Sequence, residues 1–117
     1  MKKKSTFIDK PWGYEKLLEV NKDYVVKELF MTEGNSCSLQ YHEKKHETFY
    51  VLKGQLKFEV GPDKNNLKEM VLNVGEHYTI EPFVVHRMSA IIDSLYLESS
   101  TNHLEDVIRL EDKYGRI

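Results

Sequence analysis

One stretch, residues 34–54 (GNSCSLQYHEKKHETFYVLKG), constrains the fold more than any other part of the chain. Gln40 and His42 stand two positions apart at the end of an apolar-rich run, so their side chains point to the same face of a strand. Glu47 follows a polar step and opens a second apolar run. Gly34 precedes the first run and Gly54 ends the second, where we predict the turn of a β-hairpin into QLKFEVG.

Further short apolar runs follow one another along the chain, separated by turn-forming residues. They are YEKLLEV, DYVVKELFMT, LKEMVLNVG, HYTIEP, PFVVHRMSA and IIDSLYLESS. The irregular alternation in DYVVKELFMT predicts a bulge there. Eight or nine short strands with regularly spaced turns predict an all-β barrel or sandwich, which we place at residues 11–117 as a single domain after an N-terminal arm at 1–10.

The last residues differ in pattern from the rest. Asn102 and Glu105 form a weak capping box, and Leu104, Val107 and Ile108 have helical spacing. This pattern predicts a short C-terminal helix or turn. Its apolar set also predicts that residues 102–116 fold back on the barrel near the mouth of the site.

Composition and charge exclude several classes of protein. The 17 basic and 19 acidic residues give a net charge of −2, which argues against a general nucleic-acid binder. No apolar stretch reaches the roughly 18 residues that span a membrane, and MKKKSTFIDK lacks the apolar centre of a signal peptide. The single cysteine, Cys37, cannot form an intrachain disulfide. We therefore expect a cytoplasmic protein with neither nucleic-acid nor membrane partners.

The spacing Gly-x5-Gln-x-His-x4-Glu-x6-Gly, followed by Gly-x10-His, resembles the two signature motifs of cupins. The resemblance implies a cupin fold, the double-stranded β-helix or jelly-roll barrel. It also implies one divalent metal ion bound by Gln40, His42, Glu47 and His86, with Gln40 standing where most cupins have His. Imidazole, carboxylate and amide ligands suit zinc, which we expect, and also Mn, Fe, Ni or Co. The alternative is that these four are ordinary polar residues on strands.

Almost the whole chain is similar to the isomerase domain of type II mannose-6-phosphate isomerases, usually the C-terminal part of bifunctional mannose-1-phosphate guanylyltransferase/isomerase proteins. The matching stretches are PWGYE, SLQYH, ETFYVLKG, HRM, LYLES and EDVIRLEDKYGR. The resemblance implies a homodimeric, metal-dependent aldose–ketose isomerase acting on a sugar phosphate in nucleotide-sugar supply. Lys44 stands where the family usually has a second His, and Thr48-Phe49 replaces His-Trp. We therefore expect a sugar isomerase or epimerase-like cupin ahead of the family's own reaction.

Aldose–ketose isomerisation needs a base for the C2 proton and a site for the anionic group. We predict Glu98 or His46 as the base. The predicted substrate-binding cations are Arg109, Arg87 and Lys27. The alternatives are a solvated loop position for His46, a Glu98 carboxylate paired with a cation such as Lys27, and surface ion pairs for the arginines. Lys44 and Lys45 are predicted to be solvated loop charges.

Three other functions remain open from the sequence. A nucleotide-sugar epimerase would act without a metal, through a His–Asp pair and a tyrosine acid. A binding cupin would hold a sugar phosphate or nucleotide sugar without turnover. An iron dioxygenase would want a second imidazole where Gln40 stands. The metal content of the purified protein separates the epimerase from the isomerase.

Overall fold

Eleven β-strands and no helix make up the computed structural model, which describes residues 1–117. The strands are β1 (Thr6–Lys10), β2 (Gly13–Val20), β3 (Val25–Met31), β4 (Leu39–Tyr41), β5 (Glu47–Lys53), β6 (Gln55–Gly61), β7 (Lys68–Asn73), β8 (His77–Ile80), β9 (Val85–Ala90), β10 (Ser94–Ser100) and β11 (Ile108–Glu111). Every run predicted from the sequence contains a strand. No helix has the length and hydropathy that a membrane crossing would need.

The strands form two antiparallel sheets that enclose the core. The six-stranded sheet has the order β1-β2-β3-β10-β5-β8, and the five-stranded sheet has the order β11-β4-β9-β6-β7. Apolar side chains that alternate along the inner strands, such as β3, β5, β6 and β9, point between the sheets and are buried there. The core includes Leu29, Met31, Phe49, Val51, Leu56, Phe58, Ile80, Met88 and Tyr96. The prediction of an all-β jelly-roll barrel is therefore confirmed.

The predicted β5–β6 hairpin is wrong. β5 pairs with β10 and β8 in one sheet, whereas β6 pairs with β7 and β9 in the other. Gly54 is the corner at which the chain crosses between the sheets, with a φ of 92°. A Cβ at this position would lie 2.4 Å from Ser94 Oγ and 2.5 Å from the Asp93 carbonyl oxygen, so only glycine fits.

The predicted bulge in β3 is also wrong. β3 alternates without interruption, with Val25, Lys27, Leu29 and Met31 buried. The irregularity lies in the neighbouring strand, where the pairing of β2 with β3 shifts between Leu17 and Glu19. The regular alternation in β3 directs the charged side chain of Lys27 into the barrel.

Both chain ends add strands to the barrel. Part of the N-terminal arm forms β1, which pairs with β2 at an edge of the six-stranded sheet. The C-terminal segment makes a turn at residues 104–105 and then forms β11 beside β4, with Ile108 opposite Tyr41 and Arg109 opposite Gln40. The turn alternative holds and no helix forms, because β4 lies alongside and supplies backbone partners across the sheet. The prediction that this segment packs on the barrel is confirmed.

Candidate metal centre and its cavity

Three buried polar side chains converge at one point inside the barrel. His42 follows β4, Glu47 begins β5 and His86 lies in β9, and their exposures are 2%, 2% and 0%. One nitrogen or oxygen atom from each lies within 4.8 Å of the other two. β4 and β9 are neighbours in one sheet, and β5 reaches the same point from the opposite sheet. The structure thus brings together three of the four predicted ligands.

Backbone carbonyls set the tautomer of both histidines. His42 Nδ1 contacts the carbonyl oxygen of Asp106, and His86 Nδ1 lies 2.9 Å from the carbonyl oxygen of Val84. A carbonyl oxygen only accepts, so Nδ1 must carry the proton on each neutral ring. Each Nε2 then has its lone pair directed into the barrel, as a metal ligand requires. Burial also lowers the pKa of His86, which favours the neutral ring.

The three inward atoms fit a bound divalent ion. His42 Nε2 lies 2.9 Å from Glu47 Oε2, and His86 Nε2 lies 4.0 Å from Glu47 Oε1. Neither Nε2 atom nor Glu47 Oε2 has a hydrogen-bond partner, although all three are buried. Burial alone would raise the pKa of Glu47, but the positive charge around it, including Lys45 at 3.6 Å, holds this pKa below its ordinary value. Buried acceptors facing one another need a shared cation, and two imidazoles with a carboxylate are a common donor set for one.

A cavity inside the barrel is lined by His42, Glu47 and Gln40. Gln40 lies opposite His86 in the β4–β9 pair. Its Oε1 accepts a hydrogen bond of 2.6 Å from Ser38 Oγ. An amide oxygen has two lone pairs, so Gln40 could bind a metal and keep its bond from Ser38. Its role as the fourth ligand stays a prediction.

Lys45 is a member of the site that the sequence did not reveal. It is 6% exposed, whereas its neighbour Lys44 is exposed. Its ammonium group lies 3.0 Å from Glu98 and 3.6 Å from Glu47. Burial alone would lower the pKa of Lys45, but these two carboxylates raise it above its ordinary value. The prediction of a solvated loop charge is therefore wrong for Lys45, because two inward carboxylates draw its side chain into the barrel.

Glu98 belongs to a row of alternating charges along the inner face of the six-stranded sheet. Besides Lys45, its carboxylate has Lys27 at 3.7 Å. Lys27 in turn lies 2.6 Å from Glu15, which lies 3.2 Å from Lys10. Glu98, Lys27 and Glu15 are all buried at the cavity wall. Glu98 is paired with Lys27 and Lys45, the alternative arrangement considered for it, and both Glu98 and Lys27 line the cavity together with the unpredicted Glu15. A catalytic role for Glu98 and a substrate-binding role for Lys27 stay predictions.

Arg109 lines the cavity, but Arg87 and His46 do not. The Arg109 Nε atom is buried without a hydrogen-bond partner. Arg87 follows the inward His86 and so points outward, where Glu59 binds it through two contacts of 3.1 Å and Glu111 lies 3.6 Å away. His46 precedes the inward Glu47 and is exposed for the same reason. Strand alternation therefore places Arg87 and His46 outside the site.

The C-terminal segment forms one wall of the cavity. Leu104, Asp106, Val107, Arg109 and Arg116 all line it. The Asp106 carboxylate accepts backbone hydrogen bonds from residues 43–45, and these bonds hold the pKa of Asp106 at about 2 against the cost of its burial. The only sequence signal for this contact was the EDVIRLEDKYGR resemblance, which does not say what Asp106 touches. The cavity has a volume of about 130 Å³, enough for part of a small substrate.

A two-sheet β-barrel with His, Glu and His converging inside defines the cupin class of proteins. The family model described as "Cupin domain" matches residues 28–98, which is more than half of the chain. The protein belongs to this family, and the predicted recognition and fold are confirmed.

The curated relatives of this chain include mannose-1-phosphate guanylyltransferases. The chain is 25% identical over 113 residues to mannose-1-phosphate guanylyltransferase ManC of Salmonella typhimurium, covering 92% of this chain and 22% of the relative. It is 26% identical over 113 residues to a mannose-1-phosphate guanylyltransferase of Escherichia coli K12, covering 92% and 23%. The chain thus spans about a fifth of the length of the curated relatives it matches.

Solved structures share the fold at low sequence identity. CapF in complex with 3-isopropenyl-tropolone has a TM-score of 0.79 at 15% identity, over 92% of this chain and 35% of that one. KdgF from Halomonas sp. has a TM-score of 0.70 at 18% identity, over 82% and 86%. Oxalate decarboxylase from Bacillus subtilis has a TM-score of 0.79 at 14% identity, over 91% and 30%. These likenesses support the cupin fold alone.

Proposed function

We propose that this cupin binds one divalent metal ion and acts on a sugar phosphate as an aldose–ketose isomerase. The observation that carries the proposal is the set of three buried, unpartnered acceptors on His42, Glu47 and His86. His42 and Glu47 line a cavity that Glu98 and Arg109 line as well. The similarity to mannose-1-phosphate guanylyltransferases supports a phosphorylated hexose as the substrate class. Zinc is the metal we expect, with Gln40 as the fourth ligand.

Each step of the reaction has a candidate among the chain's own residues. When bound, a divalent ion would supply Lewis acidity at the substrate carbonyl. Glu98 is the inward carboxylate beside the ligand cluster, and we assign it the transfer of the proton between C1 and C2. Lys45 and Lys27 hold this carboxylate from two sides and fix its direction. His46 has no part in this scheme because it is exposed outside the cavity.

The anionic end of the substrate is assigned to Arg109. Its guanidinium lies in the cavity wall with a buried, unpaired Nε, so it can still bind an oxyanion. Lys10 and Arg116 line the same cavity and add positive charge. Arg87 is bound by Glu59 and points away from the cavity, so it has no substrate-binding role in this scheme.

The environment of His42 favours the isomerase over the epimerase. A His–Asp catalytic pair requires a carboxylate on the far nitrogen of the ring. In this protein His42 Nδ1 contacts the backbone carbonyl of Asp106, while the Asp106 carboxylate binds the backbone of residues 43–45. The ring is therefore arranged as a ligand, with its free nitrogen toward Glu47 and His86.

The test combines metal analysis with a direct assay of proton transfer. Protein purified without chelator is expected to contain close to one metal ion per chain. In D2O, the holoprotein should convert mannose 6-phosphate, or another sugar phosphate of a hexose and pentose panel, with deuterium incorporation detected by NMR. Glu98→Gln should abolish incorporation and retain the metal, and Arg87→Gln should leave both unchanged. Full metal content with no incorporation for any sugar phosphate would leave a binding cupin and refute the isomerase.

A further inference from the structure

Asp106 joins the C-terminal segment to the ligand-bearing part of the barrel through both its side chain and its backbone. Its carboxylate accepts hydrogen bonds from three consecutive backbone N–H groups at 3.0, 2.7 and 2.8 Å, those of Glu43, Lys44 and Lys45. Its carbonyl oxygen accepts the Nδ1–H of His42. The loop held by the carboxylate connects His42 to Glu47, so one residue of the tail controls the geometry between two candidate ligands.

The contact with His42 determines which ring nitrogen is free. A neutral imidazole binds a metal only through its unprotonated nitrogen, and the hydrogen bond of the other nitrogen selects it. If the Asp106 carbonyl moves away, nothing else keeps the proton on Nδ1 of His42. The proton can then occupy Nε2, where it blocks the nitrogen that faces Glu47. His86 does not share this dependence, because its Nδ1–H is held by the carbonyl of Val84, which directly precedes β9.

We propose that Asp106 is a positioning residue that makes metal binding depend on the docking of residues 102–111. This inference rests on the metal site of the proposed function, and it adds a coupling between that site and the C-terminal segment. Coupling is reciprocal: if the docked segment raises metal affinity, the bound metal protects the segment from opening by the same factor. The carboxylate clasp keeps the carbonyl in place, so removing the side chain should release both contacts.

The first measurement needs no metal. Long-range 15N NMR of the metal-free protein at a pH where both rings are neutral reports which nitrogen carries the proton. In the wild type, His42 and His86 should both be protonated at Nδ1. In Asp106→Ala, His42 should shift toward the Nε2-protonated form while His86 stays unchanged. Asp112→Ala is the matched control, because Asp112 directly follows this segment and its carboxylate binds Arg116 and not the ligand loop.

The second measurement is zinc affinity by competition with a chromophoric chelator. Asp106→Ala should bind zinc about 10- to 100-fold more weakly than the wild type, the usual cost of losing a residue that orients a ligand. Asp112→Ala should bind within about twofold of the wild type. Zinc should also slow amide exchange of residues 102–111 in the wild type, and this protection should shrink in Asp106→Ala.

Each outcome decides a separate point. Wild-type zinc affinity in Asp106→Ala, or an unchanged His42 tautomer, overturns the positioning role. If Asp106→Ala does not fold, Asp106→Asn replaces it. The amide keeps the volume of the side chain but has only one acceptor oxygen, so we expect an intermediate loss of zinc affinity. Zinc affinity equal to that of the wild type in Asp106→Asn would overturn the positioning role. A wild type that binds no zinc overturns the proposed metal site and with it the coupling, and the tautomer result then shows whether Asp106 still orients His42.

Discussion

Replacing Lys45 by Met should destabilise the metal-free protein strongly, although Lys45 lies in a polar loop sequence. Its ammonium group is buried between Glu98 at 3.0 Å and Glu47 at 3.6 Å. Removing one partner of a buried ion pair typically costs about 3–5 kcal/mol, because a charge is left without compensation. Glu98 keeps Lys27 at 3.7 Å, so we expect the lower end, about 3 kcal/mol.

The expected loss converts into a measurable shift in melting temperature. With about 2.1 cal/mol/K of unfolding entropy per residue, a chain of 117 residues loses about 4 °C per kcal/mol. Lys45→Met should therefore melt about 12 °C below the wild type. The assay is thermal unfolding followed by circular dichroism at pH 7 with excess chelator, so that metal binding does not contribute.

The adjacent lysine provides the matched control. Lys44 is exposed, and Lys44→Met should melt within a few degrees of the wild type. Glu98→Gln in the Lys45→Met background removes the stranded charge and should recover part of the loss, which a double-mutant cycle measures. Equal melting temperatures for Lys45→Met and Lys44→Met would refute the claim that Lys45 is a buried ion-pair partner.

Three further predictions concern the metal, the substrate and acid pH. Zinc at about 100 times its dissociation constant should stabilise the wild type by about 2.7 kcal/mol, or about 11 °C, and should not stabilise His42→Ala or His86→Ala; an equal shift in either variant contradicts the site. Arg109→Gln should weaken binding of a sugar phosphate by about 2 kcal/mol in calorimetry and spare the unphosphorylated sugar; equal losses for both would make Arg109 structural. The Asp106 carboxylate, bound to the backbone of residues 43–45, and the Asp112 carboxylate, bound to Arg116, both have a pKa of about 2, below the ordinary 3.8, so each stabilises its own contact above about pH 4 and loses this effect as the pH falls toward 2; the protection of amides 102–116 against exchange, corrected for the intrinsic rate at each pH, should fall in this window, and a flat protection profile would contradict both contacts.

Local pattern predicted the strands well because burial on one face imposes a period of two along the chain. The cupin spacing likewise pointed to His42, Glu47 and His86, because strand alternation turns such positions toward the inside of the barrel. The same alternation explains why His46 and Arg87 fall outside the site, since each is the immediate neighbour of an inward ligand. His46 and Arg87 were candidates because of their chemical type alone. They lie outside the site because successive side chains of a strand point to opposite faces.

Pairing between strands was beyond the reach of local pattern. β5 and β6 are consecutive and separated by a glycine, which is typical of a hairpin, yet each joins a different sheet. The choice depends on β10, which pairs with β5, and on β9, which pairs with β6, and both lie far along the chain. The C-terminal segment forms a strand and not the predicted helix for a related reason, because its backbone hydrogen-bonds to β4.

Side-chain chemistry and short-range periodicity are enough to predict the class of fold, the strand positions and the residues that can bind a metal. Contacts between distant parts of the chain are needed to bury Lys45, to turn Glu98 and Lys27 toward the ligands, and to place Asp106 against the ligand loop and the His42 ring. Whether a charged side chain is buried in the barrel depends on the opposite charges and backbone groups that lie within its reach there. Those partners come from strands distant in the chain, and folding alone brings them within a few ångströms.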